Sequence, residues 1–91
     1  MSTIPTCTKV TVWNTATTTL AAHDWRQILS LQNDADEDIY FAFWQDAVMN
    51  SWMKLSAWEW LIWESSDYPF IKNSVSSICS SWSKNLLITT L

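Results

Sequence analysis

The residues able to do chemistry are few, and their spacing does not suit it. His23 stands beside Asp24, and Cys7 and Cys79 are the only two thiols in the 91-residue chain. A Cys/His nucleophile needs its base within hydrogen-bond reach and a further group to orient that base. Neighbouring helical residues diverge by about 100° and do not face each other. Cys79 falls on an apolar stripe, where thiols are normally inert. Glu59 and Glu64 on one strand would point to opposite faces, so a paired-carboxylate site is not supported. Neither cysteine belongs to a CxxC pair, so no metal site is indicated. With zero glycine, a phosphate-cradling loop cannot be built. The sequence points away from an enzyme, a metal and a cofactor.

Charge narrows the partners. Nine acids against five bases leave a net charge of −4. Nucleic-acid binding needs clustered Lys and Arg, whereas Lys9, Arg26, Lys54, Lys72 and Lys84 are scattered. An acidic surface serves solubility or steers a basic protein partner. The longest unbroken apolar run, residues 39–44, is far short of the about 20 residues a membrane span requires. The first residues, MSTIPTCTK, lack the basic and apolar regions of a signal peptide. The expectation is one domain over residues 1–91, cytoplasmic, more often monomeric than oligomeric, with reduced thiols. A Cys7–Cys79 disulfide is the lesser alternative.

The eight tryptophans are expected mainly in the core, since each can bury roughly 150–250 Å² and a small domain needs that area. The lack of glycine, against an average usage of about 7%, leaves open a designed or newly arisen chain with no evolved partner.

The elements that would position these residues follow from periodicity. Residues 9–13, KVTVW, alternate and predict a strand. Thr19 can cap a helix over 20–32 with Ala21, Trp25 and Ile28 on one face. Acids at 34–38 suit a helix start, and the spacing of Phe41, Trp44, Val48 and Leu55 predicts a helix over 36–53 with that stripe inward. Asp46 and Asn50 would then share the outer face. Residues 59–63, EWLIW, read as a strand buried on both faces, as in a parallel sheet. Pro69 suits the first turn of a helix carrying Ile71, Val75, Ile78, Cys79 and Trp82 on one side. Residues 86–91, LLITTL, read as a last strand. This order predicts an α/β fold, a small three-stranded parallel sheet packed with about three helices. The alternative is an all-α three-helix bundle, since residues 36–64 contain no clear breaker.

Tyr40-Phe41, Asp46-Ala47-Val48 and the strand-like WLIWE at 60–64, in this element order, resemble the barstar family of ribonuclease inhibitors. The turn glycine of that family falls on Ala42 and an expected acid on Asn50. The resemblance implies a small acidic inhibitor that blocks the active-site cleft of a basic ribonuclease or toxin. Its partner-binding residues would be Asp36, Asp38, Tyr40, Asp46 and Asn50, with Asp46 meeting an Arg or Lys of the enzyme and the 34–38 cluster supplying the long-range field. The alternative function is a tryptophan-rich module that binds another protein or itself.

Overall fold

Thr, Ser, Val and Ile fill the regular segments of this chain, and these types favour the pleated, half-buried surface of a sheet. The computed structural model describes residues 6–51, 53–81 and 83–91. Among them the regular elements are eight strands and one short 3₁₀ turn, Pro69–Lys72. The strands are β1 (Thr6–Val12), β2 (Thr17–Leu20), β3 (Ile28–Asn33), β4 (Ile39–Phe43), β5 (Lys54–Leu55), β6 (Trp60–Glu64), β7 (Val75–Cys79) and β8 (Lys84–Thr90).

They form two four-stranded antiparallel sheets, β1-β8-β3-β6 and β2-β7-β4-β5. The pairs β1·β8, β2·β7, β3·β6 and β4·β5 are nested, as if one long hairpin had been rolled over itself. That is the topology of a jelly roll, a double-sheet sandwich of eight strands.

Alternation along each strand builds the core between the sheets. Val12, Leu29, Leu31, Leu86 and Ile88 point inward from the first sheet; Ile39, Phe41, Phe43, Val75 and Cys79 point inward from the second. The outer side of the second sheet is covered by the β4–β5 loop. Its Ala47 and Met49 pack on Tyr40, Ala42 and Ile78, and the Ala47 N–H donates to Ser76 Oγ at 3.0 Å. This second layer explains why all five residues of β4 and of β7 are buried. The outer side of the first sheet has no such cover among the described residues.

The α/β expectation is therefore corrected, and so is the all-α alternative: the described residues contain no α-helix, and every strand pair is antiparallel. The barstar-like architecture falls with it. The expected helix over 20–32 is the end of β2, a loop and β3. The helix over 36–53 is a turn, β4 and the covering loop. After Pro69 a single 3₁₀ turn leads into β7. Segments buried on both faces caused the misreading. In VSSIC every position is buried, so Ile71, Val75, Ile78 and Cys79 match a helical stripe by coincidence, and the fifth member, Trp82, lies outside the described residues. The strands expected at 9–13, 59–63 and 86–91 correspond to β1, β6 and β8, but as antiparallel partners, and β1 and β6 are edges.

Turns are made without glycine. Trp44, Asn50, Trp58 and Ser83 have φ of 52°, 61°, 65° and 53°, the left-handed region that costs an L-residue about 1–2 kcal/mol. Asn tolerates it through local hydrogen bonding, whereas a bulky tryptophan does not.

Buried polar side chains stitch the loops to the sheets. Arg26 is 5% exposed, and its guanidinium donates to the carbonyls of Ala21, Ile71 and Asn73. Burial lowers its pKa. Asn33 is fully buried, and its amide nitrogen faces the carbonyls of Glu37, Leu55 and Ser56 at 2.7, 3.0 and 3.1 Å.

Candidate protein-binding surface

The acidic residues expected to meet a partner do not form one surface. Asp36 lies in the β3–β4 turn and accepts a hydrogen bond from Lys84 Nζ at 2.9 Å. That bond and the adjacent positive charge hold the Asp36 carboxyl below its usual range and raise Lys84. Asp38 pairs with Lys54 at 3.7 Å. Glu37 turns to the β7–β8 loop and accepts from the Ser81 backbone N–H at 2.9 Å and the Ser81 hydroxyl at 2.7 Å. Burial pushes Glu37 upward, but these bonds outweigh it and leave its pKa lowered. The cluster thus serves to hold turns together, and two of its charges are matched by lysines.

Tyr40 and Asn50 come together on the other sheet, and Asp46 shares the loop that carries Asn50. Tyr40 is buried beneath the β4–β5 loop, with its hydroxyl 3.5 Å from Asn50 Oδ1. Asp46 is exposed on the same loop. The helix face that Asp46 and Asn50 were expected to share is absent; a loop carries them instead.

Candidate catalytic groups stay apart as well. His23 is exposed in the β2–β3 loop, while Cys79 is buried, its thiol directed to the carbonyls of Val12, Trp13 and Ser81. Burial, and then the nearby Glu37 carboxylate, raise the Cys79 pKa. Both cysteines are free, and Cys7 is exposed. No cluster of metal-ligating side chains occurs among the described residues. No helix is long and apolar enough to cross a membrane among them.

The tryptophans supply the feature that the sequence concealed. Trp13, Trp25, Trp44, Trp58 and Trp60 are all exposed, against the expectation of a tryptophan core. Among the described ones only Trp63 packs inward, edge-on to Phe41, Phe43 and Phe70 with ring centroids 5.8, 5.7 and 6.2 Å apart. Trp52 lies outside the described residues.

The exposed apolar side chains concentrate on β6. Trp60 is 59% exposed, Ile62 54% and Leu61 36%. Trp60 and Ile62 stand on the uncovered outer face, opposite Gln32 and Ser30 of β3; Leu61 and Trp63 stand opposite the buried Leu31 and Leu29. Among the described residues β6 is the last strand of its sheet, so one side of its backbone is open there. The parity of that side can be read directly. Asn33 N–H donates to the Glu59 carbonyl and Ser65 N–H to the Gln27 carbonyl, both in the register of β3·β6. Hydrogen-bonded pairs alternate along an antiparallel ladder. Residues 59, 61, 63 and 65 therefore bond to β3, and the N–H and C=O of Trp60 and Ile62 point away from the sheet.

The strand is bounded by turns. At its start Glu59 fastens residues 56–59, its carboxylate accepting the Ser56 N–H at 3.0 Å and its N–H donating to the Ser56 carbonyl. That turn holds Trp58 at positive φ, 63% exposed. At its end Glu64 accepts the N–H groups of Asp67 and Tyr68 on its carbonyl. An acid thus stands at each end of the apolar run.

Comparisons with known proteins find no family model, no curated protein and no solved structure that this chain matches.

Proposed function

We propose that this protein is a binding module without catalytic activity, which docks a protein partner by adding an extended strand to β6. The carrying observation is that one short strand combines an open row of backbone donors and acceptors with three exposed apolar side chains. Strand addition takes its affinity from the main-chain bonds and its selectivity from alternate side chains. Trp60 and Ile62 would contact one face of the incoming strand, and Leu61 the other. Proteins normally blunt such edges with charge, proline or a bulge; here the blunting charges, Glu59 and Glu64, stand only at the ends.

The test is titration with a set of strand-forming peptides, read by tryptophan fluorescence, in the native chain and in Ile62→Lys. Saturable binding that the variant loses at least tenfold is expected. Equal binding by both proteins, or none by either, overturns the reading.

Inhibition of a basic ribonuclease stands second. Its support is the net charge of −4 and the exposed Asp46 on the loop whose Asn50 contacts Tyr40. Inhibition that weakens both with added salt and in Asp46→Ala would support it; a full panel of uninhibited basic ribonucleases would remove it.

A further inference from the structure

We propose that the strand docking at β6 is that of a second copy of this chain, paired antiparallel about a two-fold axis through Leu61. The inference rests on the docking reading above and names its partner.

The register follows from which backbone groups are free. A two-fold pairing of β6 with itself can centre on Leu61 or on Ile62. Centring on Ile62 sets Trp60 opposite Glu64, whose carbonyl already accepts two N–H groups in the following turn. Centring on Leu61 makes Trp60 opposite Ile62 a hydrogen-bonded pair, twice over by symmetry. Each Trp60 and Ile62 then exchanges both of its outward backbone bonds, and only unengaged groups are used. On the outer face this register makes two indole–isoleucine cross-strand pairs, a favourable combination. On the inner face the two Leu61 side chains, each 36% exposed in the single copy, meet. Charge agrees: Glu59 falls opposite Trp63, Glu64 opposite Trp58, and no two acids oppose each other. The product is a continuous eight-stranded sheet across two sandwiches.

Size sets the strength. Two copies each of Trp60, Leu61 and Ile62, already partly buried, together cover well under the about 1,200 Å² at which stable complexes begin. The dimer is therefore weak and dependent on concentration. Each copy carries −4, so added salt, which screens their repulsion, strengthens it. A basic partner held by charge would respond in the opposite sense.

Three measurements decide the matter. Sedimentation across a hundredfold range of concentration should show monomer passing to dimer, at lower concentration in 0.5 M than in 0.05 M NaCl, and Ile62→Lys should stay monomeric while keeping the native circular dichroism spectrum. In a Cys7→Ser background, Leu61→Cys should form a covalent dimer on mild oxidation and Ile62→Cys should not. Opposed Cα atoms of a non-hydrogen-bonded pair lie about 4.5 Å apart, within disulfide range, whereas Ile62 would face Trp60. The reverse result overturns the Leu61 register, and a monomer at every concentration overturns self-pairing. Hydrogen exchange at the Trp60 and Ile62 amides separates this failure from failure of the docking reading. Fast exchange at every concentration removes only self-pairing. Slow exchange in dilute monomer means the edge is closed and removes both.

Discussion

At the scale of the residue, the absence of glycine has a measurable price. Ser83 holds φ at 53° and is exposed, so no packing offsets its strain. Ser83→Gly should stabilise the fold by about 0.5–1 kcal/mol, the left-handed penalty less the extra chain entropy of glycine, read as a higher midpoint in urea. Asn33 marks the opposite case. Its amide nitrogen serves a site lined by three carbonyls, and a carboxylate there would repel all of them. Asn33→Asp should destabilise by more than Asn33→Ala, and the latter by about 1–3 kcal/mol for the buried groups left unpaired.

Thiol and carboxylate behaviour also belongs to single residues. Cys7 should react with an alkylating reagent in the native protein, and Cys79 only on unfolding, since the raised pKa and burial of Cys79 withhold the thiolate. Mass spectrometry of the labelled peptides distinguishes the two. Asp36 and Glu37 have lowered pKa values in the fold. Their contribution is present above the unfolded carboxylate pKa, about 4, and is lost as pH falls through the folded values. Thermal melts from pH 6 to 3 should therefore fall less steeply in Glu37→Gln, which keeps an acceptor for the Ser81 N–H but does not titrate.

At the scale of the element, Arg26 joins the β2–β3 loop to the segment that follows β6. Its planar fork reaches three carbonyls from different directions, a geometry a lysine ammonium does not reproduce. Arg26→Lys and Arg26→Met should both cost about 2–4 kcal/mol, since each strands carbonyls whose partner was charged; denaturant unfolding with an unchanged slope would show it. Nothing in the sequence marked this residue. It reads there as one of five scattered bases, and only the chain's return at Ile71 and Asn73 gives it partners.

Elements also show where reading by pattern succeeds. KVTVW, WLIWE and LLITTL were legible as strands because their branched and aromatic residues fit a pleated sheet whatever their neighbours. IYFAF and VSSIC were not, because burial on both faces erases the period of two that identifies a strand. The covering loop with Ala47 and Met49 causes that burial, and it lies outside both segments. The same ambiguity hid the candidate surface. An unbroken apolar run is what a central strand and a docking edge have in common, and the sequence favours the former. The flanking Glu59 and Glu64 were the available signal for an edge. Of the expected acidic binding residues, Asp46 is the one that remains both exposed and unmatched by a lysine among the contacts described.

At the scale of the whole molecule, two sheets with extents of 39 × 22 × 18 Å leave unequal exteriors. One sheet is roofed by a loop and the other is uncovered among the described residues, so the two outer faces offer a partner different surfaces. The asymmetry belongs to the fold and not to composition, because exposed indoles also occur outside β6, as at Trp44 just after β4. Ile62→Lys should leave the unfolding free energy within about 0.5 kcal/mol of the parent, as for an ordinary exposed position, measured by denaturation of the monomer at low concentration. A large loss would mean that β6 is held by contacts within its own sandwich.

The nesting of strand pairs has a kinetic consequence. β4 and β5 can meet by closing the loop 44–53 alone, whereas β1 reaches β8 only when the ends of the described chain come together. Closing the larger loop costs more entropy before any contact repays it, and folds rich in distant pairings reach the native state in about milliseconds to seconds. The roll should therefore wind from its centre outward, with β6 joining β3 before β1 seals the far edge of that sheet. During the interval the sheet has two open margins in place of the native pair, β3 and β6 standing without their neighbour β8. Refolding yield should then fall with protein concentration more steeply than native solubility does, because the half-wound chain presents as an open margin β3, whose Leu29 and Leu31 are fully buried in the finished fold.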